Sequence, residues 1–164
     1  MKQDRFLLGI LVGIGLLIVV ALGLFFTRQD TQEYRTDDTP EAIVHNYSLA
    51  LFRDEHEKAY GYLAEGETKP TYNEFRESFL NHYVDPGNTG LEIGETEIEG
   101  DQAFVVLYLI YNSSDPFSSG YRGTETARLE RQNGEWKLVQ MPYSFWAYDW
   151  YEPTPVPPVV VPAK

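Results

Sequence analysis

Ala103-Phe104-Val105-Val106-Leu107-Tyr108-Leu109-Ile110-Tyr111 is the stretch on which the fold turns. With the two-residue period of a strand, Phe104, Val106, Tyr108 and Ile110 face one way. Val105, Leu107, Leu109 and Tyr111 face the other. Both sets are apolar, which predicts a central strand covered on both sides.

Outward from it, Leu91 to Glu99 reads as a shorter strand, joined through the turn Glu99-Gly100-Asp101-Gln102. Asn112 to Gly123 is a Ser-, Gly- and Asp-rich loop. Thr124 to Gln132 and Glu135 to Met141 flank Asn133-Gly134, a dipeptide suited to a tight hairpin turn because both positions tolerate positive φ. Pro142 breaks the last strand, which is expected to resume at Ser144 and run to Tyr151.

Upstream, the period changes to that of helices. Thr39-Pro40-Glu41 combines an N-cap, a proline at the first helical position and an acid in the first turn. Ile43, Tyr47, Ala50 and Leu51 follow at helical spacing, with an end near Arg53. Asp54-Glu55-His56-Glu57 predicts a second N-cap, opening a short helix with Ala59, Tyr60 and Leu63 on its apolar face. Thr71-Tyr72-Asn73-Glu74 repeats the capping-box spacing ahead of an aromatic stripe, Tyr72, Phe75, Phe79 and Tyr83, closed by Asp85-Pro86-Gly87-Asn88. The expected class is α+β, with three helices packed on a curved antiparallel sheet of about four strands.

Several of these segments resemble nuclear-transport-factor-2-like domains, the cystatin-like cone fold. Thr39 through Phe52 resembles their opening helix, and Glu57-Lys58-Ala59-Tyr60-Gly61-Tyr62-Leu63 and Tyr72-Asn73-Glu74-Phe75 resemble the helices that follow. Gly134-Glu135-Trp136-Lys137-Leu138-Val139 resembles their closing strands. The similarity spans about residues 39–150. It implies a cone of helices on a bent sheet with a pocket between them. The superfamily holds enzymes, ligand binders and membrane-anchored extracytoplasmic assembly domains, and a fold alone does not choose among them.

The location of the chain is read from Phe6 to Phe26, 21 positions without a charged or polar side chain. As a helix the run is roughly 32 Å long, close to the hydrocarbon thickness of a bilayer. Lys2 and Arg5 precede it, whereas residues 28–164 carry 11 Lys/Arg against 24 Asp/Glu. Positive-inside bias therefore predicts a single-pass cell-membrane protein, with residues 1–5 cytoplasmic, 6–26 transmembrane and in contact with lipid, and the domain extracytoplasmic. Ala21-Leu22-Gly23 offers the small-x-small spacing of a cleaved signal, but the apolar run continues through Phe26, which favours an uncleaved anchor. The expected organisation continues with a juxtamembrane linker at 27–38, the α+β domain at 39–151 and a Pro-rich tail at 152–164. The formal charge of −12 repels phosphate backbones, which argues against nucleic acid as a partner. The chain has no Cys, so neither disulfides nor lipoprotein attachment is expected.

No catalytic, cofactor-binding or metal-ligating set emerges. His45, His56 and His82 lack the spacing that places two ligands on one helix face. Glu92, Glu95, Glu97, Glu99 and Asp101 read as a solvated strand face, with 95, 97 and 99 alternating onto one side. The resemblance implies that isomerase-like members use an Asp or His base beside a Tyr in the pocket. Asp149 is the nearest match for a base, and His82 and Tyr83 could line such a pocket. Asn46-Tyr47-Ser48 and Asn112-Ser113-Ser114 match glycosylation acceptors, the first within a predicted helix.

Two features suggest interaction instead. Gly9 and Gly13 form Gly-x-x-x-Gly in the apolar run, a spacing that lets helices approach closely. Trp146, Tyr148, Trp150 and Tyr151 belong to the densest aromatic cluster, with the first three sharing a face if extended. The leading expectation is a non-enzymatic accessory or assembly domain contacting a larger membrane complex or envelope partner, with a homo-oligomer possible. The alternatives are a module binding a small apolar ligand in the cone and an isomerase- or dehydratase-like enzyme. Trp136, which follows the hairpin turn, is expected in the core, and Trp150, beside the tail, nearer the surface.

Overall fold

A computed structural model of the chain describes residues 3–27, 32–87, 89–111 and 120–151, with the side chains of 3–6 and 24–27 outside that description. The chain divides into two compact units, Met1–Glu33 and Tyr34–Lys164.

In the first unit, Gln3–Thr27 forms a helix of 25 residues, α1. The side chains of residues 7–23 are exposed along its whole described length. Among the described residues no helix is both long and apolar enough to cross a membrane. Phe6 and Leu24 to Phe26, the ends of the apolar run, lie outside the described side chains. The transmembrane expectation therefore stands on the sequence alone.

The second unit is α+β. Three helices, α2 (Pro40–Phe52), α3 (His56–Tyr60) and α4 (Tyr72–Leu80), precede four strands, β1 (Thr89–Glu99), β2 (Gln102–Tyr111), β3 (Tyr121–Gln132) and β4 (Glu135–Gln140). The strands pair antiparallel in the order β1-β2-β3-β4. The local signals explain most boundaries. Thr39 caps α2, its hydroxyl accepting from the Ala42 amide at 3.2 Å, with Pro40 in the first turn. Thr71 and Glu74 close a full capping box on α4. Asn133 and Gly134 both take positive φ in the β3–β4 turn.

Four expectations are corrected. Asp54 does not cap α3. It turns the chain in the left-handed region, at φ 56°, and leaves the cap position to Glu55, which makes no side-chain cap bond. The Glu55 carboxylate is already engaged, by Lys58 at 2.7 Å and the Tyr34 hydroxyl at 2.8 Å.

The linker is shorter than 27–38, because the folded unit starts at Tyr34. The Arg35 amide donates to Asn46 Oδ1 at 2.8 Å, and Asn46 Nδ2 donates back to the Arg35 carbonyl at 2.9 Å. The Lys58 ammonium lies 3.7 Å over the Tyr34 ring. Asn46 is thus buried and committed, which removes it as a glycosylation acceptor. Asn112 and the tail 152–164 lie outside the described residues.

Residues 142–151 form no strand. They fold as successive turns, with Phe145 N bonded to Pro142 O at 2.8 Å and Trp150 N to Ala147 O at 3.3 Å. In such a path Trp146 and Trp150, four residues apart, fall on one side and Tyr148 on the other. The spacing works as that of a helix turn, which is why the alternation read from the sequence fails.

The fourth correction concerns β2. Ala103, Val105, Leu107 and Leu109 are buried, as expected, beneath the helices. Phe104, Val106 and Tyr108 are only half-buried and Ile110 is exposed. The second apolar face is not covered. Tyr108 does find support at the bulge between Ile93 and Thr96, where a Cβ on Gly94 would come within 2.9 Å of its ring.

The core joins Tyr47, Ala50, Leu63, Phe75, Phe79, the inner residues of β2 and β3, Trp136, Leu138, Phe145, Trp146 and Trp150. The segment after α3 extends the sheet edge through a single parallel bridge, Leu63 to Leu138. Trp136 is 2% exposed, as the hairpin register predicts, but Trp150 is 7% exposed and equally part of the core. Trp150 stacks on Phe75 at 5.0 Å and meets Trp146 edge-on at 5.0 Å. Trp136→Ala and Trp150→Ala are therefore expected to destabilise the domain alike, by about 3–5 kcal/mol each in denaturant unfolding. A Trp150→Ala protein with an unchanged midpoint would place that ring outside the core.

Candidate functional site

Among the described residues, several aromatic side chains pack in the interior where the cone pocket was expected. Tyr47 is fully buried, and its hydroxyl donates to the Phe145 carbonyl at 2.7 Å. Burial drives its ionisation well above the ordinary tyrosine range. Trp146 packs on Tyr47 at 6.0 Å and on Tyr151 at 5.7 Å. The Tyr151 hydroxyl donates to the Ala64 carbonyl, and burial pushes its pKa upward too. Asp149, the nearest match for a pocket base, is exposed and faces no such interior. His82 and Tyr83 are likewise on the surface.

The six residues singled out for interaction separate into three groups. Gly9 and Gly13 stand on α1 with open space around them, since a Cβ on either would meet nothing within 4 Å. Trp146, Trp150 and much of Tyr151 are packed inside. Of the aromatic cluster's interaction residues, Tyr148 is the exposed one, at 61%.

Tyr148 belongs to a surface the sequence did not reveal. Its ring lies 5.9 Å from that of Tyr83, itself 50% exposed. His82, just before Tyr83, lines a groove of about 470 Å³ at the C-terminal ends of α2 and α4. Leu51, Phe79 and Val84 contribute buried apolar side chains, and Phe52 and Leu80, exposed at 47% and 54%, stand at its sides. Asp54, His56 and Asp85 supply polar groups. Asp54 and His82 both hold positive φ, at 56° and 60°. These are uncommon conformations for non-glycine residues, and they shape the turns that bound the groove.

Phe52 and Leu80 escaped notice because each ends a helix whose other apolar residues are buried or half-buried. Leu80 lies one position past the Phe75–Phe79 stripe, and that offset is the signal that marks it as outward-facing.

The remaining charged candidates are accounted for locally. Glu92 pairs with Arg122 across the sheet. Glu97 and Glu99, opposite Phe104 and Gln102, share one side of β1, and Glu95, at the bulge, is exposed as they are. The His56 ring packs at 5.4 Å from Phe79. Among the described residues no group of three His, Asp or Glu side chains could hold a metal ion.

No family model matches the chain, and no curated protein matches it. Solved structures similar to it include nuclear-transport-factor-2-like proteins. A candidate calcium/calmodulin-dependent protein kinase type II association domain from Thiobacillus denitrificans is 11% identical, with a TM-score of 0.48 over 64% of this chain and 93% of that one. A candidate nuclear-transport-factor-2-like transpeptidase from Campylobacter jejuni is 14% identical, with a TM-score of 0.44 over 63% and 99%. A nuclear-transport-factor-2-like protein of unknown function from Pseudomonas putida is 13% identical, with a TM-score of 0.43 over 60% and 78%. Each score is below 0.5, so the α+β architecture rests on the chain's own strand pairing.

The Tyr83–Tyr148 pair can be tested by titration. Its hydrogen bond first, then burial, pushes the Tyr83 phenol up to about 12, the sign expected when the bond stabilises the neutral form. Tyr148→Phe removes that bond. It should bring one tyrosine ionisation back towards about 10 in an absorbance titration near the phenolate band. An unaltered titration would mean that the two hydroxyls do not interact.

Proposed function

We propose that this chain is a non-enzymatic, single-pass membrane protein whose extracytoplasmic domain, of nuclear-transport-factor-2-like fold, is an accessory subunit docking on a membrane or envelope partner. The observation that carries this reading is a set of exposed apolar and aromatic side chains: Phe52 and Leu80, 47% and 54% exposed, line the groove, and the paired rings of Tyr83 and Tyr148, 50% and 61% exposed, adjoin it through Tyr83, which stands between the groove residues His82 and Val84. Such residues dominate the energetics of protein interfaces. The placement of two candidate groups supports it as well, since the Tyr47 hydroxyl is engaged with Phe145 and the Asp149 carboxylate is at the surface. Membrane insertion is supported by the apolar run 6–26 within α1 and by the charge difference on its two sides.

For the small-ligand alternative, the groove lined by Leu51, Phe79 and Val84 is the more apolar cavity among the described residues. An apolar ligand held there would leave much of its own surface in water, whereas ligand sites usually bury most of it.

Two measurements test the proposal. In gentle detergent at native expression, the full chain should co-purify with a partner. The Tyr83→Ala/Tyr148→Ala protein should lose it, with affinity reduced by about 2 kcal/mol or more if either ring is a hot spot. Both positions are exposed, so thermal unfolding should move little. A wild-type chain that purifies alone would reject the accessory role.

For topology, protease added outside intact spheroplasts should digest the domain and spare the N-terminus. A protected domain would overturn the orientation.

A further inference from the structure

The two edges of the sheet end differently. At β4 the edge is taken. The Leu138 amide donates to the Tyr62 carbonyl and the Ala64 amide to the Leu138 carbonyl, both at 2.8 Å, so the segment after α3 lies alongside the strand. β1 is the other edge. Among the described residues, its one backbone bond outside the ladder is at its start, from the Thr89 amide to the Pro86 carbonyl at 3.0 Å. Over residues 90–99 the outward-pointing amides and carbonyls have no backbone partner there.

The side chains along this open edge sort by face. Leu91, Ile93, Thr96 and Ile98 stand opposite Leu109, Leu107, Val105 and Ala103, on the helix side. Cover runs out along that row: Leu91 and Ile93 are half-buried and Ile98 is 56% exposed. On the far side stand Glu92, Glu97 and Glu99, all exposed. Arg122 pairs with Glu92. Glu97 and Glu99 make no ion pair among the described residues. The bulge between Ile93 and Thr96 separates residues 96–99 from the first half of the strand.

We propose that the β1 edge, centred on residues 96–99, receives an extended segment of a partner protein as an additional strand, one in which apolar residues alternate with Lys or Arg. Main-chain bonds to the open amides and carbonyls hold such a segment, and alternate side chains choose it. Its apolar residues continue the row of Ile93 and Ile98 and cover what the helices leave exposed. Its cations fall beside Glu97 and Glu99, at the cross-strand spacing of about 5 Å. A second copy of this chain is the wrong occupant. In the continuous sheet that two copies would form, β1 beside β1 brings acids next to acids, which is repulsive. The charges that turn away the chain's own edge thus select a cationic strand. This site lies on the sheet edge, whereas the aromatic groove is built from the helix ends, and neither depends on the other.

The test uses the full chain in non-ionic detergent micelles and a labelled synthetic peptide of about seven residues, alternating Lys and Val, with both ends blocked. Fluorescence anisotropy should show saturable binding, and amide hydrogen exchange should slow within residues 90–99. Glu97→Lys/Glu99→Lys should weaken binding by about tenfold or more, because each change sets like charges side by side. Both side chains are exposed, so the fold should survive, and circular dichroism checks that. Two control peptides separate strand addition from the general pull of a chain of charge −12 on a polycation. One has the same composition with its lysines grouped together, and the other has the alternating sequence with a methylated backbone that cannot donate. Each should bind about tenfold or more weakly. Absence of binding, a methylated peptide that binds as well as the parent, protection that falls outside β1, or indifference to the charge reversal would each overturn the proposal. Protection of residues 90–99 that rises with protein concentration and no peptide would overturn it too, by naming a second copy as the occupant.

Discussion

The hydroxyl of Tyr47 fixes where everything else in the domain can go. It is fully buried, where an unmet donor would cost about 1–3 kcal/mol, and its one bond is to the carbonyl of Phe145. That bond ties the middle of α2 to the turns that follow β4. Those turns then carry Trp146 and Trp150 against Tyr47, Phe75 and Phe79. The aromatic rings occupy the space between helices and sheet.

Two surfaces stand out, for different physical reasons. At the helix ends, Phe52, Leu80 and Tyr83 are exposed where short turns through Asp54 and His82 end the helices, and Tyr148, on the turns after β4, packs its ring against Tyr83. On the sheet, β2 is apolar on both faces while the helices cover only one. Arg122, spread over Tyr108 and bound to Glu92, shields part of the second face without an additional element of structure. The acidic β1 edge also presents charge where a stray strand would otherwise add to the sheet.

The helix caps at Thr39 and Thr71, the Asn133-Gly134 turn and the inner face of β2 were legible because each depends on neighbours in sequence or on a single period. The order of helices and strands followed from the same signals. The places that were not legible depend on contacts distant in the chain. Nothing near Ser144 distinguishes a strand from a series of turns. The choice is made by the Tyr47 hydroxyl, 98 residues away from its acceptor. The aromatic segment was thus seen, but its inside and outside were exchanged at Trp146 and Trp150. Phe52 and Leu80 were passed over because their exposure is set by where a helix stops, and Asp54 was read as a cap when it is a left-handed turn.

The strap at Tyr34 and Arg35 has a consequence for which changes the chain can tolerate. Composition alone makes residues 27–38 one polar spacer, in which lengthening or shortening should be harmless. The reciprocal bonds with Asn46 and the Tyr34 contacts with Glu55 and Lys58 divide it at Glu33. Length is neutral only on the N-terminal side of that point. A single residue inserted between Arg35 and Thr39 would shift the strap out of step with its partners on α2 and strand a buried amide. Among relatives of this chain, insertions and deletions should therefore gather before Tyr34 and be rare between Tyr34 and the α2 cap.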